Sequence, residues 1–324
     1  MKLRLGIVLS ILLVILGIQT SHAAKVSFAG ERPFNLFVPS TYNSATPTAL
    51  IIALHGFNQN GAKFEKYLDL TPIAEADDIL YVHPDGTGDT HGVRFWNGTP
   101  ECCDFQTPKV DDDAYIMSII DQVSARYSVD PNRIYVIGHS NGGFMANRLA
   151  CDHADRIAAV VNIAGGTFTS ASMCKPAAPI SVLEIWGSKD VTYKGNHILG
   201  KPISGAEKIF AAWGSLNKCV GPPKRIPEKL DLDRKISGAE TTQTQYLECP
   251  SGTAIEFWRI SGASHVPNLS KNFTKDVVDF LLAHPKVPPS ISEPKIENQP
   301  GGNPGISGLD QKFIYSALNI LRLH

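Results

Sequence analysis

Short apolar runs alternate with longer mixed segments from residue 25 to about residue 283. Several of the runs are apolar at consecutive positions, which is typical of strands buried on both faces of a sheet. Strands that alternate with helical segments in this way predict an α/β fold, with a mostly parallel sheet covered by helices on both sides. The predicted strands are residues 34–38, 49–54, 79–83, 133–137, 158–163, 180–186 and 254–260.

Several of the intervening segments carry apolar residues at helical spacing. One of them places Tyr115, Ile116, Ile119 and Val123 on one face, and another follows a glycine pair directly. The predicted helices are residues 112–127, 144–151 and 274–282.

The first residues have the pattern of an export signal. Lys2 and Arg4 precede an uncharged run from residue 5 to residue 18, and Ser21 and Ala23 provide the small residues of a cleavage site. We therefore interpret residues 1–23 as a signal peptide. The alternative is an uncleaved anchor, but the apolar run is shorter than the roughly 20 residues of a spanning helix. The expected product is periplasmic or secreted, without membrane contact after cleavage.

The composition changes after His284, where prolines and glycines are interleaved. We expect residues 285–309 to form an extended linker, because such a stretch does not support regular structure. Residues 310–324 place Phe313 and Leu321 on one helical face, which predicts a short helical tail that either docks or stays loosely ordered. The predicted catalytic domain is residues 24–284.

Composition and charge limit the possible partners. Hydrophobic residues make up 43% of the 324 residues, enough for a substantial core. The net charge is -1, so no long-range field favours nucleic acid or an anionic membrane. The expected partner is a substrate of modest charge, and the oligomeric state stays open.

Six cysteines lie in the exported part of the chain, where an oxidising compartment permits disulfides. Spacing alone does not choose among their possible pairings. Neither a C-x-x-C knuckle nor an H-E-x-x-H pair is present, so we expect no metal site. The cysteines are Cys102, Cys103, Cys151, Cys174, Cys219 and Cys249.

The strand at residues 133–137 leads directly into Gly138-His139-Ser140-Asn141-Gly142 and then into a helix. A bare G-x-S-x-G is weak evidence, but between a strand and a helix it is typical of the nucleophile elbow of an α/β-hydrolase fold. The glycines let strand and helix approach each other, and the helix N-terminus offers amide donors to developing negative charge. Ser140 is the predicted nucleophile; the alternative is an ordinary turn serine.

A serine nucleophile needs a base, and the chain order in this fold is nucleophile, acid, histidine. Asp190 follows the predicted strand 180–186, and His265 follows the predicted strand 254–260 through a flexible loop. Both then lie at the sheet edge that carries Ser140. The alternatives are a turn or N-cap aspartate and a surface-loop histidine.

Other histidines fit this order less well, and we expect them to be structural. His83 and His91 precede the serine, and the ring of His139 should point away from it. His153, His197 and His284 follow no strand end.

An oxyanion hole requires two backbone amides. One is predicted from Asn141, the residue after the nucleophile, and the other from Phe57 in the His55-Gly56-Phe57 step after the strand 49–54.

With these features in place, the chain resembles the polyhydroxybutyrate depolymerase and feruloyl esterase family of secreted enzymes. The resemblance covers most of residues 30–283. The matching stretches are LHGFNQNG at 54–61, RFWNGTPECCD at 94–104, VDDDAYI at 110–116, RYSVDPNRIYVIGHSNGGFMANRLAC at 126–151 and AAWGSLNKC at 211–219.

The resemblance implies an esterase without cofactor or metal, and a disulfide between Cys219 and Cys249. It also places the double cysteine, Cys102 and Cys103, and Trp96 near the mouth of the site. There Trp96 either lines the substrate pocket or packs as an ordinary aromatic residue. The segments around Asp190 and His265 depart from the family's usual residues, which implies a different pocket rim. The family's polymer-binding domain has no counterpart after the linker, which disfavours a crystalline polyester as substrate.

The expected reaction is attack of Ser140 on an ester carbonyl, with His265 as general base and then general acid and Asp190 orienting it. Hydroxyalkanoate esters or oligomers are the first expected substrates, and feruloylated plant polysaccharides the second. A peptidase and a catalytically silent binding protein of the same fold are the rival hypotheses.

Overall fold

The computed structural model describes residues 22–105, 110–198 and 200–287. The predicted signal peptide, linker and tail lie outside the described residues, apart from residues 22, 23 and 285–287. The first strand begins at Ala24 and the last helix ends at Ala283.

The described residues form fourteen strands, six α-helices and two short 3₁₀ turns, Ala171–Met173 and Pro250–Gly252. None of these helices is long and apolar enough to cross a membrane. The strands are β1 (Ala24–Phe28), β2 (Phe34–Val38), β3 (Thr48–Leu54), β4 (Leu80–Val82), β5 (Thr87–Gly88), β6 (Arg94–Phe95), β7 (Val129–His139), β8 (Ala159–Ile163), β9 (Ser181–Gly187), β10 (Asn196–Ile198), β11 (Lys201–Ile203), β12 (Lys224–Leu230), β13 (Thr241–Tyr246) and β14 (Ile255–Ile260). The helices are α1 (Gly61–Leu68), α2 (Thr71–Ala76), α3 (Asp112–Ser124), α4 (Asn141–Asp152), α5 (Ala206–Leu216) and α6 (Phe273–Ala283).

Ten strands of the described part form one sheet in the order β1-β2-β4-β3-β7-β8-β9-β14-β13-β12. Every neighbouring pair from β4 to β14 is parallel, and the pairs at both edges are antiparallel. The predicted mostly parallel sheet is therefore confirmed. All seven predicted strands are present in it, and the edge strands β1 and β12 and the neighbouring strand β13 were not predicted.

The sheet is buried on both faces by two separate apolar clusters. Along β3, Leu50 and Ile52 belong to one cluster, whereas Ile51 and Ala53 belong to the other. Helices α3, α4 and α5 cover the first face, and α1, α2 and α6 cover the second. A strand with apolar partners on both sides needs no polar alternation, which explains the consecutive apolar runs in the sequence.

Three disulfides pair all six cysteines. Cys219 and Cys249 are joined, as the family resemblance implies, and the bond ties the chain after α5 to the chain after β13. The four unassigned cysteines pair as Cys102–Cys103 and Cys151–Cys174. The two longer crosslinks restrict the unfolded chain and so favour the folded state.

The turn between β7 and α4 depends on backbone contacts that leave no room for side chains. A Cβ atom on Gly138 would lie 2.0 Å from the carbonyl oxygen of Gly142, and one on Gly142 would lie 2.0 Å from that of Leu54. These glycines therefore set the distance between β7, α4 and β3.

A buried polar cluster lies beneath the carboxyl end of β9. The Glu184 Oε2 atom accepts hydrogen bonds from Asn162 Nδ2 at 2.6 Å and from Trp186 Nε1 at 3.1 Å. Its Oε1 atom has no hydrogen-bond partner among the described residues. Burial raises the pKa of Glu184 to about 7, although the bonds from Trp186 and Asn162 favour the ionised form.

We expect Gly138→Ala to destabilise the protein by at least about 2 kcal/mol, because the new methyl group meets backbone rather than a movable side chain. Urea unfolding measures the loss. Gly88→Ala is the matched control, since a Cβ there has no atom within 4 Å. Equal stability of the two variants would contradict the proposed close approach.

Because burial raises the pKa of Glu184, the free-energy cost of burying this side chain should increase as the pH rises. Between its ordinary value of 4.5 and about 7 the folded protein keeps a proton that the unfolded chain has lost. The contribution of Glu184 to the free energy of unfolding should therefore fall over this range, by up to about 3 kcal/mol at 1.4 kcal/mol per pKa unit, whereas the lowered pKa of His139 contributes in the opposite direction. Glu184→Gln should remove the contribution of Glu184, so its stability should rise relative to wild type as the pH rises, and Glu228→Gln, at an exposed position, should parallel wild type. Unfolding measured at pH 4.5 and 7.5 tests both.

Candidate active site

Ser140 lies between the last residue of β7 and the first residue of α4, with φ 53° and ψ -115°. A positive φ is costly for a residue with a side chain and persists only where the surroundings hold it. Here the Ser140 N–H donates to Ile163 O at 2.8 Å, and its carbonyl accepts from the Phe144 N–H at 3.0 Å. The predicted sharp turn is thus present, and it presents the hydroxyl above the carboxyl ends of the strands.

Three side chains from separate loops form a continuous chain of hydrogen bonds. His265 Nε2 lies 2.8 Å from Ser140 Oγ, and His265 Nδ1 lies 2.8 Å from Asp190 Oδ2. The side chain of His265 is 36% exposed, whereas that of Asp190 is fully buried. The histidine can therefore reach both solvent and serine, while the carboxylate contacts only protein.

Asp190 is held by its own loop as well as by His265. Its Oδ1 atom accepts from the backbone N–H and the hydroxyl of Thr192, both at 2.8 Å. Burial would raise the pKa of Asp190, but the hydrogen bonds from His265 and Thr192 outweigh burial and lower the pKa below its ordinary value. The carboxylate therefore stays charged beside the imidazole.

The loops that carry Asp190 and His265 are tied together by backbone bonds. Ser188 N–H donates to Ile260 O at 2.9 Å, and Lys189 N–H donates to Ala263 O at 2.8 Å. Gly262 N–H donates to the Ser188 hydroxyl at 2.8 Å. Because β9 and β14 are adjacent parallel strands, the two loops leave the sheet side by side and fix the spacing of acid and base.

His139 packs against the main chain of His265. Its Nε2–H donates to His265 O at 3.1 Å, and the two ring centroids are 5.4 Å apart. Burial lowers the pKa of His139 to about 4, so the ring is neutral. Tyr67 lies behind it and donates its hydroxyl hydrogen bond to Pro267 O at 3.0 Å. His139 thus has the structural role that the sequence predicts, and it positions the loop of His265.

The two predicted oxyanion donors are Asn141, which follows Ser140 in the chain, and Phe57, which follows a residue that lies beside Ser140 in space. Asn141 opens α4, and its N–H belongs to the first turn, where helices have no internal acceptor. The chain at Gly56 passes beside Ser140, since a Cβ on Gly56 would lie 3.6 Å from the Ser140 Cβ. Donation by the Asn141 and Phe57 amides to an oxyanion stays a prediction.

Trp96 is not among the residues that line the cavity beside Ser140, and of its two predicted alternatives the structure favours an ordinary packed aromatic residue. The side chain is completely buried, and its indole N–H donates to His55 O at 3.0 Å inside the domain. The Trp96 backbone also exchanges two hydrogen bonds of 2.7 Å with the side-chain amide of Asn141. Trp96 therefore connects the two chain segments that carry the predicted oxyanion donors.

An apolar cavity of about 490 Å³, the acyl cavity, opens beside Ser140 and His265. Among its other walls, Phe57 is a predicted oxyanion donor, and the family resemblance places the double cysteine, Cys102 and Cys103, near the mouth of the site. Trp186 lies near the end of β9, a few residues before Asp190, and that position could have identified it as a wall. The sequence of the hairpin β10–β11 carries no such signal. The walls that sequence reasoning missed are Phe105, Phe144, Ala164, Gly166, Trp186, Thr192, Ile198 and Ile203.

Other histidines have structural contacts. His153 Nε2 lies 2.7 Å from Asp113 Oδ2, and the pKa of His153 is raised chiefly by this bond. His284 Nδ1 bonds to Phe280 O at 2.7 Å. In the part of the chain that the structure describes, no group of three or more His, Cys, Asp or Glu residues is placed to hold a metal ion.

Part of the chain is similar in sequence to a known protein family. Residues 33–188 match the family described as Esterase PHB depolymerase. The matched segment contains His55, Trp96 and Ser140 and ends before Asp190 and His265.

Two curated relatives and one solved structure extend the similarity beyond that segment. Feruloyl esterase B of Piromyces equi is 29% identical over 254 residues, which are 75% of this chain and 44% of that protein. A probable feruloyl esterase C of Aspergillus flavus is 30% identical over 67% of this chain and 80% of its own length. An acetyl xylan esterase from Aspergillus awamori has the same fold, with a TM-score of 0.58, 12% identity and coverage of 81% of this chain and 99% of its own.

The chain thus spans less than half of the Piromyces protein, but it covers four-fifths of the Aspergillus flavus protein. The α/β-hydrolase fold predicted from the sequence is confirmed by the sheet and by the structural likeness. On the identity and coverage of the Aspergillus flavus relative together with the matched segment, the chain belongs to the polyhydroxybutyrate depolymerase and feruloyl esterase family.

Proposed function

We propose that the protein is a serine carboxylic ester hydrolase that works through an acyl-enzyme. The observation that carries the proposal is the pair of 2.8 Å contacts that join Ser140, His265 and Asp190 at the wall of the acyl cavity. A nucleophile in hydrogen-bond reach of a base, itself oriented by a carboxylate, is the arrangement that activates serine.

In the proposed cycle the Ser140 hydroxyl donates its proton to His265 Nε2 as Oγ attacks the ester carbonyl. Asp190 stabilises the imidazolium through Nδ1, and the backbone N–H groups of Asn141 and Phe57 donate hydrogen bonds to the developing oxyanion. The tetrahedral intermediate then collapses, and His265 returns the proton to the leaving alcohol. Water, activated by the same histidine, releases the acid and restores the serine.

The acyl cavity favours an apolar acyl group. Its walls include Phe57, Phe105, Phe144 and Trp186, and the Phe57 and Phe105 rings meet edge to face at 5.8 Å. Such aromatic walls suit a planar aromatic acyl group such as feruloyl, and relatives named feruloyl esterases support the same choice. Hydroxyalkanoate esters or oligomers, the first expectation from the sequence, are the second candidate, supported by the name of the matching family.

We further propose that the protein acts after export, in the periplasm or outside the cell. Three disulfides within the described residues support an oxidising compartment.

Ser140→Ala should lower kcat/KM for p-nitrophenyl butyrate by at least about 1,000-fold, because the nucleophile is removed. His265→Ala should cause a loss of the same order, and Asp190→Asn a loss of about 100-fold or more, since the imidazole loses its orienting charge. Ser170→Ala, at an exposed serine, is the matched control. Rates equal to wild type in Ser140→Ala would refute the nucleophile, and cleavage of peptides alone would favour the peptidase hypothesis.

Methyl ferulate should be hydrolysed with a kcat/KM at least about tenfold above that of a hydroxybutyrate trimer, because it fills the aromatic-walled cavity better. Ile198→Trp should narrow the cavity and reduce ferulate hydrolysis more than acetate hydrolysis. Ile226→Trp, on the edge strand β12, controls for a surface tryptophan. The reverse order of the two wild-type substrates would make the hydroxyalkanoate the better proposal.

A further inference from the structure

A buried carboxyl group lies behind the wall of the acyl cavity and takes no part in the proposed reaction. Glu184 is fully buried in the middle of β9. Val182 and Trp186, two residues before and after it, belong to the apolar cluster beneath α3, α4 and α5. Side chains two residues apart on a strand share a face, so Glu184 points to the same side of the sheet. Trp186 also lines the acyl cavity.

The hydrogen bonds of Glu184 reach the cavity wall by two routes. Its Oε2 atom accepts from Trp186 Nε1 at 3.1 Å and from Asn162 Nδ2 at 2.6 Å. Asn162 in turn holds Gly165, because it donates to the Gly165 carbonyl at 2.6 Å and accepts from the Gly165 N–H at 2.8 Å. The residues on both sides of Gly165 line the cavity. One carboxyl group thus connects two separate parts of the wall.

The amide of Asn147 on α4 joins the wall to the same polar cluster. Asn147 Nδ2 donates to Gly166 O at 3.0 Å, and Asn147 lies close enough to Glu184 to favour its ionised form. A Cβ atom on Gly166 would lie 2.3 Å from the ring of Phe144, another wall residue. A small shift of this backbone therefore changes the surface that an acyl group meets.

The strength of these bonds depends on the charge of Glu184. Burial raises the pKa of Glu184 to about 7. Hydrogen bonds to an ionised carboxylate are roughly twice as strong as those to a neutral group. Trp186 and Asn162 are therefore held more firmly above pH 7 than below it.

The charged groups on the elements packed against Glu184 have other partners or are exposed, and none of them contributes to its pKa. Strand β8 has the uncharged sequence AVVNI. The charged groups are Arg148 and Asp152 of α4, which pair with each other, Glu207 of α5, which accepts from Tyr193, the exposed Lys208 of α5, and Glu256 and Arg259 of β14, which bond to Trp258 and Ser261.

We propose that Glu184 is a positioning residue for the acyl cavity, whose hydrogen bonds to Trp186 and Asn162 fix the wall that holds a large acyl group. The inference rests on the proposed ester hydrolysis, but it concerns which acyl groups are accepted rather than whether Ser140 attacks. Buried polar networks select one arrangement of the groups they join. Since the ionised carboxylate holds the wall more firmly, the preference for a large acyl group should rise with pH.

The first test compares p-nitrophenyl ferulate with p-nitrophenyl acetate, which share the leaving group and differ in the acyl group. The ratio of their kcat/KM values cancels the titration of His265, because both reactions need the same base. In wild-type protein this ratio should rise about fivefold between pH 6 and pH 8, as the bonds to Glu184 become charge-assisted. A ratio that stays constant over this range overturns the proposal.

The second test changes Glu184 itself. Glu184→Gln keeps an acceptor oxygen without the charge, so it should keep most of the ferulate preference and lose its pH dependence. Glu184→Leu removes both bonds and should lower the preference at pH 8 by about tenfold, with a larger change in the KM of the ferulate ester than in its kcat. A ferulate preference in Glu184→Leu equal to that of wild type contradicts the assigned role.

A second Glu-x-Trp pair provides the matched control. Glu256 Oε2 accepts from Trp258 Nε1 at 3.0 Å on β14, and Trp258 belongs to the apolar cluster on the opposite face of the sheet from Trp186. Glu256→Leu should therefore keep the wild-type ratio of the two esters and its pH dependence. An equal loss of ferulate preference in Glu184→Leu and Glu256→Leu would show a general effect of destabilisation and overturn the proposal.

Binding of methyl ferulate to the Ser140→Ala protein, measured by calorimetry at pH 6 and pH 8, separates this proposal from the proposed function. Tighter binding at pH 8 that the added substitution Glu184→Gln abolishes supports the role of Glu184 even where turnover is absent. Binding that is equal or absent at both pH values overturns it. Failure of the wild-type protein to hydrolyse either ester contradicts the proposed function alone.

Discussion

The contact between backbone atoms of β7, α4 and β3 governs the geometry of the whole site. Gly138 and Gly142 allow this contact because no side chain separates the strands from the helix. At that distance Ser140 has a positive φ and keeps its hydrogen bonds to Ile163 and Phe144. The same contact brings the first turn of α4 to the serine, so the nucleophile and its nearest amide donors depend on one constraint.

The remaining site residues are placed by the order of the parallel strands. The loops that carry Asp190 and His265 follow β9 and β14, which are neighbours in the sheet, whereas Ser140 follows β7 across β8. Backbone hydrogen bonds join the loops that follow this adjacent pair, and these bonds fix the acid and the base relative to each other independently of the serine loop. His139 then connects the serine strand to the histidine loop, so a residue inside the elbow also limits the position of the base.

The features predicted correctly from the sequence are those with a local cause. Consecutive apolar residues identify the doubly buried strands. Helix α5 was not predicted, although the helical spacing of Ile209, Phe210 and Trp213 is a local signal of the same kind. The edge strands β1 and β12 pair on one side only and carry exposed polar residues, and β13, between β12 and β14, has the polar sequence TTQTQY, so none of the three shows an apolar run. The role of Trp96 stayed open between two alternatives because its burial depends on distant partners, Asn141 and His55, which sequence spacing does not show.

The position of the acyl cavity agrees with the order of steps in the proposed acyl-enzyme reaction. The acyl group must stay bound through both halves of the cycle, and apolar walls such as Phe144 and Trp186 suit it because they do not compete for hydrogen bonds. The alcohol must leave before water can reach the same carbonyl. His265 lines the cavity and its side chain is 36% exposed, so the base that protonates the departing alcohol can then accept a proton from water that enters from solvent.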